Sequence, residues 1–137
     1  MASNNGVNMT FRINLSPAAQ SYFATFPAKL KKARREAVEV AGMVWSDETK
    51  AITREEDHID TSLYINSIGY STGSPSDPKW DLSEGSDKTK LTVGVGSSVH
   101  YAEHLEKRYN LMARGLDRAK SRIGDQVANA VRRNLDL

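Results

Sequence analysis

The side chains best spaced to do chemistry in this sequence are His100, Glu103 and His104, which read H-x-x-E-H within S-V-H-Y-A-E-H-L-E-K-R. Two imidazoles four residues apart share one side of a helix, where they can hold a zinc ion while a glutamate activates the bound water; this is the residue order of the inverted zinc peptidases. The helix that would carry them turns them the wrong way. At about 100° per residue, with Tyr101 at the origin, Ala102, Leu105 and Tyr109 fall within about 100° of it, and His100 and His104 fall at roughly 260–300°. The aromatic side is therefore expected to pack and the histidines to face solvent. Lys107 borders the histidine side with Arg108 just beyond, no histidine follows His104, and Asp117, Asp125 and Asp136 belong to a later helix. Zinc needs a further protein ligand and anionic surroundings, so the sequence predicts two surface histidines and no metal. His58 sits in a charged turn away from both.

Other catalytic patterns are missing. There is no G-x-S-x-G elbow and no G-x-x-x-x-G-K-[ST] phosphate loop, and V-G-V-G lacks the third glycine and following helix of a dinucleotide site. Glu55 with Glu56, or Asp57 with Asp60, would supply an acid and a base, but no nucleophile or cofactor signal accompanies them. The expectation is a protein with no catalytic centre and no cofactor.

A chain of 137 residues suits a single domain with one core. No stretch approaches the ~20 apolar residues a membrane helix needs. The first residues lack the basic and apolar regions of a secretory signal and there is no cysteine, so disulfides and thiolate metal sites are excluded and an intracellular setting is expected. Net charge is only +2 but is unevenly spread. Lys29, Lys31, Lys32, Arg34 and Arg35 crowd one segment, and Asp47, Glu48, Glu55, Glu56, Asp57 and Asp60 crowd the next. Lys107 to Arg133 then carries eight basic residues against two acidic ones. Such blocks mark surfaces that meet charged partners or other copies of the chain, or else solvated faces.

The elements that must position these groups follow from periodicity. Met9, Phe11, Ile13 and Leu15 alternate with Thr10, Arg12 and Asn14, which predicts an edge or hairpin strand; Ser16 and Pro17 then start a short helix that ends near Pro27. Leu30, Ala33, Ala37, Ala41, Val44, Trp45 and Ile52 recur at three and four, opposite Lys31, Lys32, Arg35, Glu39 and Lys50, so Ala28 to about Glu56 is the main amphipathic helix. Its first turns crowd cations at the positive end of the helix dipole, unfavourable by ~0.3–1 kcal/mol each. Either an acidic neighbour compensates them or they serve a partner. T-S-L-Y-I-N-S-I-G-Y alternates as a strand, Gly69 to Lys88 reads as a long excursion between strands with a mobile hairpin tip around Trp80, about residues 70–88, and Thr89 to Val95 resumes alternation. Helices are expected from Val99 to Tyr109 and from Met112 to about Asn134. On the second, Met112, Leu116, Ala119, Ile123, Val127, Ala130 and Val131 share one arc. The expected fold is a single α+β domain: a small antiparallel sheet with a long hairpin, packed by a long helix in the N-terminal half and by C-terminal helices.

D-T-S-L-Y-I-N-S-I, the expected hairpin, and L-T-V-G-V-G-S-S-V-H-Y-A-E-H-L-E together resemble the minor tail component family of tailed bacteriophages. In that family a long amphipathic helix precedes a T-G-x-L-x-x-S-I strand, and a V-G strand leads into Y-A-x-x-x-E. Thr61, Leu63, Ser67 and Ile68 match the first motif, with Ser62 at the glycine position; Val93, Gly94, Tyr101, Ala102 and Glu106 match the second. The resemblance implies a structural virion protein, assembled in the host bacterial cytoplasm. It would form a homo-oligomeric ring at the neck or the head-proximal tail end, acting as head-tail connector, tail-completion protein or tail terminator. Its implied partners are other copies, the neighbouring neck, connector and tail proteins, and DNA passing through the lumen, with no membrane. Candidate interface or channel residues are Lys31, Lys32, Arg35, Trp80, Arg114, Arg118 and Arg122, with either the basic Lys29 to Arg35 segment or the Arg114, Arg118 and Arg122 stripe expected to face the acidic Asp47 to Asp60 region of a neighbour. The alternative is a DNA-binding module that uses the basic C-terminal helix.

Overall fold

The computed structural model describes residues 8–13, 27–56, 62–85 and 88–135, and of the first stretch the backbone alone. In chain order the elements are β1 (Asn8–Ile13), α1 (Pro27–Glu55), α2 (Ser62–Ser67), β2 (Pro78–Glu84), β3 (Thr89–Val95), α3 (Ala102–Tyr109) and α4 (Leu111–Leu135). The three strands form one antiparallel sheet in the order β1-β3-β2. The architecture is α+β, as the sequence pattern predicts, and helix α1 is its centre.

One flank of α1 packs against α4 and another against β3 and β1. Its apolar stripe is buried as the spacing predicts, with Ala33, Ala37, Ala41, Val44, Trp45 and Ile52 nearly inaccessible. Burial on two sides also takes in Ser46, Thr49 and Thr53. Their hydroxyls donate to the carbonyls one turn earlier, of Gly42 (2.8 Å), Trp45 (2.9 Å) and Thr49 (2.7 Å), so each is satisfied without help from another element. Small side chains at these positions allow close approach. A Cβ added at Gly115 of α4 would lie 3.0 Å from the Thr49 Cα and collide with the Thr49 side chain. A Cβ at Gly42 would collide with Leu91 and lie 2.9 Å from the Trp80 ring. The indole of Trp45 donates to the Met112 carbonyl at 2.8 Å, which fixes the start of α4 against the middle of α1.

Beneath these contacts Trp45, Tyr64, Ile68, Leu91, Leu111 and Met112 are fully buried in one hydrophobic cluster that also takes in Val93, Val95, Ala119 and Ile123. On α4 the buried line runs through Leu111, Met112, Gly115, Ala119, Ile123 and Ala130, while Leu116 and Val127 are half-buried at its border.

Several expectations are corrected. S-L-Y-I-N-S does not form a strand: residues 62–67 are a helix, and Tyr64, Ile65 and Ile68 are buried at near-helical spacing. The hairpin partner of β3 is β2, which lies inside the stretch expected to be a long mobile tip. The turn itself is short, closed by the Gly85 amide donating to the Lys88 carbonyl at 2.8 Å. Trp80 is therefore a strand residue packed over Gly42 and not a tip residue. Lys50, placed on the polar side of α1 by periodicity, is 4% exposed. Helix α3 begins at Ala102, three residues later than expected, because residues 97–101 form turns. Leu15, the Ser16 to Phe26 helix, the residues 57–60 and Thr61 lie outside the described residues.

Replacing Gly115 by alanine tests the close helix pair. Alanine favours helix by ~1 kcal/mol over glycine, but the collision with Thr49 includes backbone that cannot swing away, so a net destabilisation of about 1–3 kcal/mol is expected. Urea denaturation of the two proteins measures it; an unchanged or higher midpoint would show that α1 and α4 are not in such close contact.

Candidate functional site

The two motif segments converge at one seam. Ser67 closes α2 by donating to the Leu63 carbonyl (2.5 Å), and its oxygen accepts the Asp77 amide (2.7 Å). The Asp77 carbonyl in turn accepts the Gly96 amide at 2.6 Å. Its carboxylate takes both the amide (3.1 Å) and the hydroxyl (2.7 Å) of Ser98. These hydrogen bonds to the charged form, the Ser98 hydroxyl first, hold the Asp77 carboxyl below the usual range. One residue past Ile68, Gly69 adopts a left-handed backbone (φ 71°) and donates to the Gly94 carbonyl at 2.9 Å. A side chain there would strike Ser46 of α1, so glycine is required both for the turn and for the space.

Tyr101 joins the same seam from the other side. Its hydroxyl accepts the Tyr64 amide at 3.1 Å, supplying a partner to the open N-terminal turn of α2, and the two rings sit 6.4 Å apart at 45°. Ala102 is fully buried beside it. The Tyr64 hydroxyl is buried with no hydrogen-bond partner among the described residues. Burial first, then the Glu106 charge, pushes its pKa up.

Glu106 has a defined task. After α3 ends at Asn110 in a left-handed conformation (φ 52°, ψ 44°), the Glu106 carboxylate accepts the Met112 amide at 2.8 Å, with Ala113 further off at 3.4 Å. It thus caps the N-terminus of α4, where an anion is favoured by the helix dipole. Met112 is held twice, by Glu106 at its amide and by Trp45 at its carbonyl.

The arginine stripe meets acid within its own chain. Arg114 makes a two-pronged pair with Glu56, at 2.5 and 2.8 Å, and Arg118 another with Glu55, at 3.0 and 3.1 Å. Glu48 binds both Arg118 (3.1 Å) and Arg122 (2.6 Å). Further along, Glu36 meets Arg133 at 3.4 Å and accepts from Asn134. Glu48, Glu55 and Glu56, part of the acidic region expected on a neighbour, thus meet the stripe within the same molecule, aligned by the antiparallel helix pair. The Arg118 hydrogen bonds lower the Glu55 pKa, and the Asn134 hydrogen bond lowers that of Glu36. At the basic start of α1, Glu84 of β2 is the compensating neighbour, 3.7 Å from Lys31 and 3.6 Å from Arg35. Lys32 is exposed.

Sequence periodicity misses a polar cluster around Lys50. Its ammonium donates to the Tyr70 carbonyl (2.7 Å) and the Thr72 hydroxyl (3.2 Å) and lies 3.8 Å from the centre of the Tyr70 ring, whose hydroxyl meets Asp47. Burial pulls the Lys50 pKa down to about 8, against the opposing pull of Asp47 and with that of Arg54. Asn66 ties the same connection down, accepting the Thr72 amide at its carbonyl and donating to the Pro75 carbonyl at 3.2 Å. The histidines His100 and His104 are exposed, and among the described residues no three His, Asp or Glu side chains gather as a metal-ligand set. No helix among the described residues is long and apolar enough to cross a membrane.

Comparison with protein-family models, with curated proteins and with solved structures finds no match to this chain.

Two experiments test the seam. Tyr101→Phe strands the Tyr64 amide and is expected to cost about 1 kcal/mol, whereas Tyr64→Phe removes an unpartnered hydroxyl and is expected to leave stability unchanged or slightly raised; chemical denaturation that ranks the two the other way would refute the assignment. Lys50 gives a pH test. Its folded pKa, about 8, lies below the unfolded value, so between the two the unfolded chain holds a proton the folded one has shed. Stability measured against a Lys50→Met chain should therefore rise by about 1–2 kcal/mol between roughly pH 8 and pH 10, after discounting for partial solvation. A flat difference would mean that Lys50 is not desolvated.

Proposed function

We propose that this chain is a structural protein of a tailed-phage virion, forming a ring at the neck or the head-proximal tail end that joins or completes head and tail. The observation that carries the reading is the ordered pair of motifs, Leu63, Ser67 and Ile68 followed by Val93, Gly94, Tyr101, Ala102 and Glu106, after a long amphipathic helix. The packing of these residues supports it. They bond the seam, bury the core or cap α4, which is what a framework subunit requires of its most constrained positions.

A ring subunit works by holding shape while distinct patches meet distinct neighbours, so that the rotation closes. Glu56, Glu55 and Glu48 pair with Arg114, Arg118 and Arg122 within the chain, so this arginine stripe is neutralised locally. The same pairing weakens the DNA-binding alternative, because the phosphate contacts it needs would have to displace those carboxylates. Partners in this reading are further copies and the adjoining connector and tail proteins, with DNA confined to passage through the lumen.

Electron microscopy of particles from a phage with an early stop codon in this gene tests the reading. DNA-filled heads beside separate tails are expected, and tails of abnormal length would indicate termination instead. Normal infectious particles would remove the structural role.

A further inference from the structure

Strand β2 ends the sheet on one side, with no strand beyond it among the described residues. Leu82, one of the two large apolar side chains exposed among the described residues, lies on this edge strand at 37% exposure. Leu82 pairs with Leu91, and the Trp80 ring packs over Gly42 of α1. Paired residues of an antiparallel ladder point to the same face. Trp80 and Leu82 therefore share the α1 side with Val93 and Leu91, and Lys79, Asp81 and Ser83 point to the other.

An open strand edge is a template for another strand, and folded chains guard it with charged side chains, proline, bulges or a covering element. Strand β2 starts at Pro78 and carries a cation and an anion two residues apart, Lys79 and Asp81, at 3.9 Å from each other, so its charges are complementary to those of a second, antiparallel copy. Such an edge does not repel a copy of itself, and one register is favoured. With a two-fold axis at Trp80, Lys79 of each copy lies opposite Asp81 of the other, Trp80 opposite Trp80, and Leu82 opposite Pro78. Moving the axis to Asp81 sets that carboxylate against its own copy, and moving it to Leu82 sets Trp80 against Glu84. Like charges directly opposed destabilise a ladder, and opposite charges add to it.

We propose that β2 is a homotypic docking edge through which two copies of this chain pair in solution, antiparallel and centred on Trp80. The axis runs perpendicular to the sheet, so both α1 helices stay on one side, and Leu82 of each copy faces Pro78 of the other. The contact is isologous, the same patch on both copies. It concerns the free chain and does not rest on the virion reading.

Sedimentation equilibrium of the full chain tests it. A monomer–dimer equilibrium is expected, and Lys79→Asp or Asp81→Lys alone should weaken it about tenfold, since two symmetry-related pairs turn from attraction to repulsion. The combined Lys79→Asp, Asp81→Lys chain should return to within a few-fold of the original. Asp81 is 70% exposed and, among the described residues, the two side chains pair with each other, so circular dichroism should show all three variants folded. A chain that stays monomeric at every concentration overturns the proposal. So does a dimer that the single substitutions leave unchanged, or one that the double substitution fails to restore. A larger ring indifferent to all three variants also overturns this edge, while leaving the ring reading in place.

Discussion

The close antiparallel contact of α1 with α4 is the constraint from which most of this structure follows. Gly115 lets the second helix sit directly on Thr49, and Trp45 ties its first turn by a hydrogen bond to Met112. With distance and register set at that point, the two helices run past each other so that Glu56, Glu55 and Glu48 lie beside Arg114, Arg118 and Arg122 in turn. Each exposed pair adds little on its own. Together they follow the alignment that the buried contact has already chosen.

An adjoining flank of α1 carries the sheet, and this double burial explains its unusual composition. A helix packed on one side needs a single apolar stripe; one with two close neighbours needs small residues where they approach. Gly42 meets that need towards Leu91 and Trp80, Ser46 towards Gly69 and Thr49 towards Gly115. The hydroxyls of Ser46, Thr49 and Thr53 bond to their own helix, so that none of the three is stranded. Lys50 belongs to the same pattern. It is buried because the connection from α2 to β2 crosses it, and its ammonium is held by that connection's carbonyl and hydroxyl oxygens.

The residues that resemble a phage-tail motif act as couplings between segments far apart in sequence. Ser67 and Asp77 join the end of α2 to the turn after β3, Tyr101 closes the start of α2, and Glu106 starts α4. Their constraint is mutual fit, which is consistent with a subunit whose work is to keep its shape between neighbours.

Helical periodicity determined α1 and α4 to within a residue or so, and strict alternation determined β3, because long stretches with one buried side carry a period that local sequence records directly. The absence of cysteine and of phosphate or nucleophile motifs was equally legible. Short elements were not. S-L-Y-I-N-S alternates as well as any strand, and only the surrounding core, which takes Tyr64, Ile65 and Ile68 together, makes it a helix. P-K-W-D-L-S-E has too little apolar character to announce a strand, and it becomes one because β3 offers a free edge and Trp80 has Gly42 to rest on. The charge blocks could be counted from the sequence, but their partners could not. Which carboxylate meets which guanidinium depends on the helix register, and that was decided where a glycine and a threonine, 66 positions apart, allow two backbones to touch.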